Sequence, residues 1–139
     1  MGVNLEKISA TKNNPIKGKL EIKHNVKLTD IQDFKLEISK DKEAVRFFFD
    51  YNVQYEPKIG SITLNGDVLY VDETKKIKEI LSEWKKNKKI DPDLAANIIN
   101  TVLTKCTIKA LNLSQEVNLP PHLPLPRASP KSNTKTYIG

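Results

Sequence analysis

AVRFFFDYNVQYEP, residues 44–57, decides the fold. Val45, Phe47, Phe49, Tyr51, Val53 and Tyr55 alternate with Arg46, Phe48, Asp50, Asn52, Gln54 and Glu56. Successive side chains of an extended strand point to opposite faces, so this period of two gathers a β-branched and aromatic set on one side of a sheet. Pro57 ends the strand.

Working outward, the same parity returns on both sides. Downstream, SITLNGDVLYV (61–71) places Ile62, Leu64, Val68 and Tyr70 together. Its Asn65-Gly66 pair fits either a type I′ hairpin turn or a bend within one long strand. Upstream, KLEIKHNVKL (19–28) sets Leu20, Ile22, His24, Val26 and Leu28 against Lys19, Glu21, Lys23, Asn25 and Lys27. FKLEIS continues or pairs with this strand after a bend at Thr29-Asp30, and a weaker strand covers about Val3 to Ala10. One apolar and one polar face per strand predicts antiparallel pairing, with one side of the sheet wet.

The period then changes. DETKKIKEILSEWKKNKK (72–89) carries Ile77, Ile80, Leu81 and Trp84 at helical spacing, with Asp72 or Thr74 to cap its start. Asp91-Pro92 opens a second helix, Asp91 as cap and Pro92 in the first turn. Its stripe of Ile99, Leu103, Cys106, Ala110, Leu113 and Val117 predicts a helix over 92–117, about 39 Å long at 1.5 Å per residue. Thr104, Thr107 and Ile108 leave a break near Cys106 open. Pro120 and Pro121 end helix and domain, and NLPPHLPLP (118–126) reads as an extended segment. The fold class is therefore α+β: an antiparallel sheet of about four strands, two helices on one face, and an extended proline-rich C-terminal tail. Residues 1–117 make the domain, 118–126 a Pro/Leu-rich strap that packs on its own domain or a sister subunit, and 127–139 a flexible basic tail.

Chemistry is sparse. Two histidines and one cysteine among 139 residues do not make a usual structural zinc site without acidic ligands. His24 lies on a strand's apolar parity and reads as structural. His122 sits among prolines with no Cys, Asp or Glu close in sequence. Cys106 belongs to the helix stripe. Gly18, Gly60 and Gly66 are isolated and form no phosphate-cradling loop. These observations argue against an enzyme, and no cofactor or metal motif is present. No apolar run reaches the roughly 20 residues that span a bilayer, and the N-terminus lacks a signal-peptide pattern, so the cytoplasm is the default location.

The charge is uneven. Lys and Arg number 23 against 17 Asp and Glu, a formal +6, and only Arg46 and Arg127 are arginines. Base-reading nucleic-acid binders rely on arginine forks, which disfavours sequence-specific recognition. Lys75, Lys76, Lys78, Lys85, Lys86, Lys88 and Lys89 face only Glu79 and Glu83 on the first helix. A solvated outer face explains this. The functional alternative is a phosphate-facing surface, joined by Lys131 and Lys135, in an RNA- or ribosome-associated protein. In the strap, Pro121 and Pro124 have PxxP spacing, but Arg127 falls one step beyond the position an SH3-type domain uses.

The order of elements resembles the SecB family of export chaperones. VQYEPKIGSITLNG (53–66) is similar to the family's passage from third to fourth strand, where a glycine precedes an alternating strand, and Asn118-Leu119-Pro120-Pro121 is similar to the Asn-Leu-Pro-Pro after the family's long helix. The topology covers about residues 3–121, the matching words fewer than twenty residues. The resemblance implies a dimer or tetramer built through the long helix and edge strands, and apolar grooves that hold unfolded polypeptide without ATP. This chain departs from the family in being basic, in having the lysine-rich helix where the family has a crossover loop, and in lacking a second helix after Pro-Pro. On this reading Tyr51, Tyr55, Trp84 and Leu123 are the accessible apolar anchors for an unfolded or extended polypeptide.

Overall fold

The 44–57 stretch forms the core of β3 (Lys42–Glu56), whose odd-numbered residues from Val45 to Tyr55 are all buried. The computed structural model describes residues 1–126 and 128, and for residues 36–38 the backbone alone. β1 (Gly2–Lys12), β2 (Glu21–Ser39) and β4 (Gly60–Glu73) complete one antiparallel sheet in the order β1-β4-β3-β2. The two most apolar strands are thus central, and β1 and β2, richer in lysine, are the edges.

Register explains two sequence features. Thr29 is a bulge in β2, between the pairs Leu28↔Phe49 and Asp30↔Phe48, so FKLEIS continues the same strand. Asn65-Gly66 makes no hairpin: β4 runs through it, opposite an irregularity at Glu6 of β1. A Cβ on Gly66 would collide with the Asn4 carbonyl oxygen, so glycine here serves the close approach of the edge strand.

α1 (Thr74–Asn87) and α2 (Pro92–Glu116) lie on the face that carries the odd-numbered β3 side chains. Ile77 of α1, and Ile98, Val102, Cys106 and Ala110 of α2, join Phe47, Tyr51, Val53, Ile62, Leu64 and Val68 in one core. Asp91 caps α2 by accepting the Leu94 amide at 3.2 Å, with Pro92 in the first turn. The helix passes Cys106 without a break; the Thr101 and Thr104 hydroxyls bond back to the Asn97 and Asn100 carbonyls at 2.9 Å. Neither Asp72 nor Thr74 caps α1. The cap position is Glu73 without a side-chain bond, because Asp72 accepts the Glu73 amide at 2.7 Å and the Tyr70 hydroxyl at 2.6 Å.

α2 ends in a Schellman motif. Asn118 takes the left-handed conformation (φ 57°), its amide donates to the Gln115 carbonyl at 3.3 Å, and the Leu119 amide donates to the Ser114 carbonyl at 2.8 Å. This closure turns the chain back over the sheet. Leu119 is buried beside Gly60, and the following prolines keep the segment extended.

On the opposite face, even-numbered β3 residues are half-buried or exposed, apart from buried Ala44. There the Arg46 guanidinium lies 5.2 Å from the Phe34 ring centre and 5.1 Å from that of Phe48.

Candidate functional site

Three features of the helix-bearing side are candidates. The first is the track under residues 118–126. The Tyr55 hydroxyl donates to the Pro120 carbonyl at 2.6 Å. The Tyr51 hydroxyl lies 2.8 Å from His122 Nε2 and 3.3 Å from Thr107 Oγ1 of α2. The His24 ring, on β2, meets Tyr51 edge-on at 4.7 Å and His122 at 5.0 Å. Lys12 Nζ donates to the Asn118 carbonyl at 3.2 Å. Burial lowers the pKa of both histidines, and His24 adds a further lowering to His122. Burial, with Tyr51 second, pushes the Tyr55 hydroxyl up to about 12, so it stays a donor.

The second feature is an open groove of about 540 Å3 between α1 and the start of α2. Tyr70, Ile80, Ile90 and Leu94 supply its apolar lining; Lys76 and Lys89 alternate with Glu79, Glu83 and Asp91 around it. The third is a shallower groove of about 320 Å3 between β1 and α2, where Ile8 and Ile108 stand 48% and 61% exposed beside Leu5.

The sequence-predicted anchors separate. Tyr51 and Tyr55 are 0% and 1% exposed. Their expected accessibility is thereby corrected: they occupy the inward parity of a central strand and are roofed by α2 and by residues 119–122. Trp84 is half-buried, and its indole donates to Asp30 Oδ1 at 3.1 Å. Leu123 stands 40% exposed on the strap. The anchors do not converge on one surface: two form the floor of the track, Leu123 lies on what covers it, and Trp84 is held on α1.

All seven α1-region lysines, from Lys75 to Lys89, are exposed. Lys88 Nζ lies 5.1 Å from the Trp84 ring centre. Lys131 and Lys135 lie outside the described residues. Cys106 is buried, and burial pushes its thiol up to about 11, which suits a packed core residue and not a nucleophile. Among the described residues no group of three or more His, Cys, Asp and Glu could hold a metal ion, and no helix is long and apolar enough to cross a membrane.

Sequence reasoning missed the meeting of His24, Tyr51 and His122. His24 and Tyr51 share the inward parity, which was a usable signal. His122 is 71 residues from Tyr51, and only the Schellman turn brings it there.

With this geometry described, the chain can be set beside known proteins. The fold is SecB-like. A solved structure of the SecB-like chaperone Rv1957 of Mycobacterium tuberculosis, in complex with a ChAD peptide from the Rv1956 HigA1 antitoxin, is similar to this chain with a TM-score of 0.50. The similarity covers 93% of this chain and 88% of that one at 15% sequence identity, so it concerns the fold. No family model matches the chain, and no curated protein matches it in sequence.

Proposed function

We propose that this protein is a non-enzymatic binding module that holds unfolded or extended polypeptide by apolar contact. The observation that carries the reading is the groove between α1 and α2. Its apolar lining accepts side chains of any apolar type, and its rim carries charges of both signs. A phosphate-binding surface would present cations without interleaved acids. Here Glu79, Glu83 and Asp91 stand among the lysines, which favours polypeptide over nucleic acid. The SecB-like fold supports the same reading, since the similar chaperone is in complex with a peptide. In this reading the chain also assembles with copies of itself, through the seam of Ile8 and Ile108.

The test is aggregation of a chemically unfolded client in the presence of the full-length protein, at low and at moderate salt. The expected result is slower aggregation with little change between the two, because apolar contact is not screened by salt as charge contact is. Loss of the protein's effect at moderate salt, together with co-sedimentation with ribosomes at low salt only, would instead establish the lysine-led RNA or ribosome role and end this reading.

A further inference from the structure

The strap is an extended peptide already seated on the domain. Its hold on the sheet is partly generic: the Tyr55 hydroxyl bonds a backbone carbonyl, that of Pro120, which every peptide possesses. Downstream the hold is narrow. Leu119 is anchored by burial and by the Schellman closure, but beyond His122 the residues Leu123 to Pro126 are exposed, Leu123 by 40% and Leu125 by 45%. His122 is therefore the last firm contact among the described residues of the strap. It is an awkward one, because its Nδ1 is buried with no hydrogen-bond partner among the described residues while Nε2 meets Tyr51.

We propose that the strap is a displaceable occupant of a peptide site: on protonation of His122 it lifts from Tyr51, pivoting at Pro120-Pro121, and an extended leucine-bearing segment of a client takes its place over Tyr51 and Thr107. This adds a second, gated peptide site to the groove between α1 and α2 and rests on the polypeptide-holding function proposed above. The client is committed to by the chemistry of the present occupant, a leucine-proline segment without charge over 118–121 and 123–126. It meets the same tyrosine floor.

The sense of the switch follows from what faces His122. His24 meets His122 from β2 and Tyr51 meets it from β3; around this pair Thr107 of α2 meets the Tyr51 hydroxyl, Cys106 of α2 acts on Tyr51, Tyr55 holds the Pro120 carbonyl and Lys12 of β1 the Asn118 carbonyl. Burial raises the pKa of Tyr51, of Tyr55 and of Cys106, so all three stay neutral between mildly acidic and neutral pH. Only the two histidines change charge there, and each would gain a cation facing the other across 5.0 Å. The doubly protonated ring would also hold a buried, charged Nδ1–H with no acceptor among the described residues. The docked state thus lowers the histidine pKa, and the lifted state restores its ordinary value. More protons are bound in the lifted state. Docking is complete above the ordinary histidine range and is lost as pH falls through that range toward the lowered value.

The probe is a fluorescently labelled peptide NLPPLLPLP, the strap sequence with leucine at the histidine position, so that the ligand itself does not titrate. Binding to the full-length chain is read by anisotropy at about pH 7.5 and about pH 5.5. The wild type is expected to bind about fivefold tighter at the lower pH, as the fraction of open sites rises. His122→Ala should bind at the higher pH as the wild type does at the lower, with no further pH step. His24→Asn, on the exposed edge strand, keeps the test decisive if His122→Ala fails to fold. Removing the neighbouring charge should move the midpoint of the step upward in pH, a shift that loss of packing alone would not give. Wild-type affinity and pH response in both variants would overturn the proposal. If client aggregation is nonetheless slowed equally by all forms at both pH values, the polypeptide-holding function stands and only the displaceable strap falls. If no form slows aggregation, that function falls and the strap proposal with it.

Discussion

At the scale of single residues, Asp30 shows how a bulge turns an edge strand into an anchor. Placed just after the Thr29 bulge, its carboxylate accepts the Gln32 side-chain amide at 3.0 Å, the Ile31 backbone amide at 2.8 Å and the Trp84 indole at 3.1 Å. The Gln32 bond is the largest cause that holds this carboxyl below the ordinary carboxylate range; burial opposes it, and Trp84, Ile31 and Lys88 reinforce it. A carboxyl whose pKa is lowered on folding contributes stability above its unfolded pKa and loses it as pH falls through the folded value. Trp84 is the sole tryptophan, so the tryptophan emission reports the surroundings of this indole. The expected outcome is an emission change on acidification with its midpoint below that of a free aspartate, and its absence in Asp30→Asn. A midpoint at the free value, or an unchanged transition in the variant, would show that the carboxylate does not hold the indole.

At the scale of elements, the helix ends separate what a cap contributes from what packing contributes. α2 begins on a side-chain cap and ends on a Schellman motif, whereas α1 has no side-chain cap and starts where the Thr74 amide meets the Asp41 carbonyl at 2.9 Å. Asp91→Ala should therefore destabilise the protein by about 1 kcal/mol, read as a lower denaturant midpoint with unchanged slope. An unchanged midpoint would mean that the buried stripe of α2 alone sets its start. The same contrast shows what the sequence made legible. Period-two patterning located β2, β3 and β4, because alternation is imposed by the pleat and survives any tertiary arrangement. Asp91-Pro92 marked α2 because both residues act within one turn of their own position. Asp72 misled, since a carboxylate at the end of a strand can bind a neighbouring tyrosine as readily as a helix amide, and only the fold chooses. Strand order and the burial of Tyr51 and Tyr55 were out of reach for the same reason. Inward parity was plain from spacing, but what roofs that face depends on a helix end and a strap more than 60 residues away.

At the scale of the whole molecule, the sheet has a covered and an open side, and part of the exposed apolar surface lies along one seam. Ile8 on edge strand β1 and Ile108 on α2 are the more exposed members of a seam that also includes Leu5 and borders a groove of about 320 Å3. Large exposed aliphatics on an edge strand and on the helix beside it give a surface that a second copy can cover isologously, each seam facing the other about a twofold axis. Lys105, which lines the same groove with Lys109, turns its Nζ to the Val3 carbonyl at 2.9 Å. The expected outcome in sedimentation equilibrium is a mass above that of one chain for the wild type and a return to the single-chain mass for Ile108→Asp. An exposed site tolerates that substitution without loss of the core, so the fold should persist with an unaltered Trp84 emission. A wild type that sediments as a single chain at every concentration would remove self-assembly through this seam. The groove between α1 and α2 lies elsewhere on the chain, so Ile108→Asp should still slow client aggregation, though with the avidity of one site in place of several.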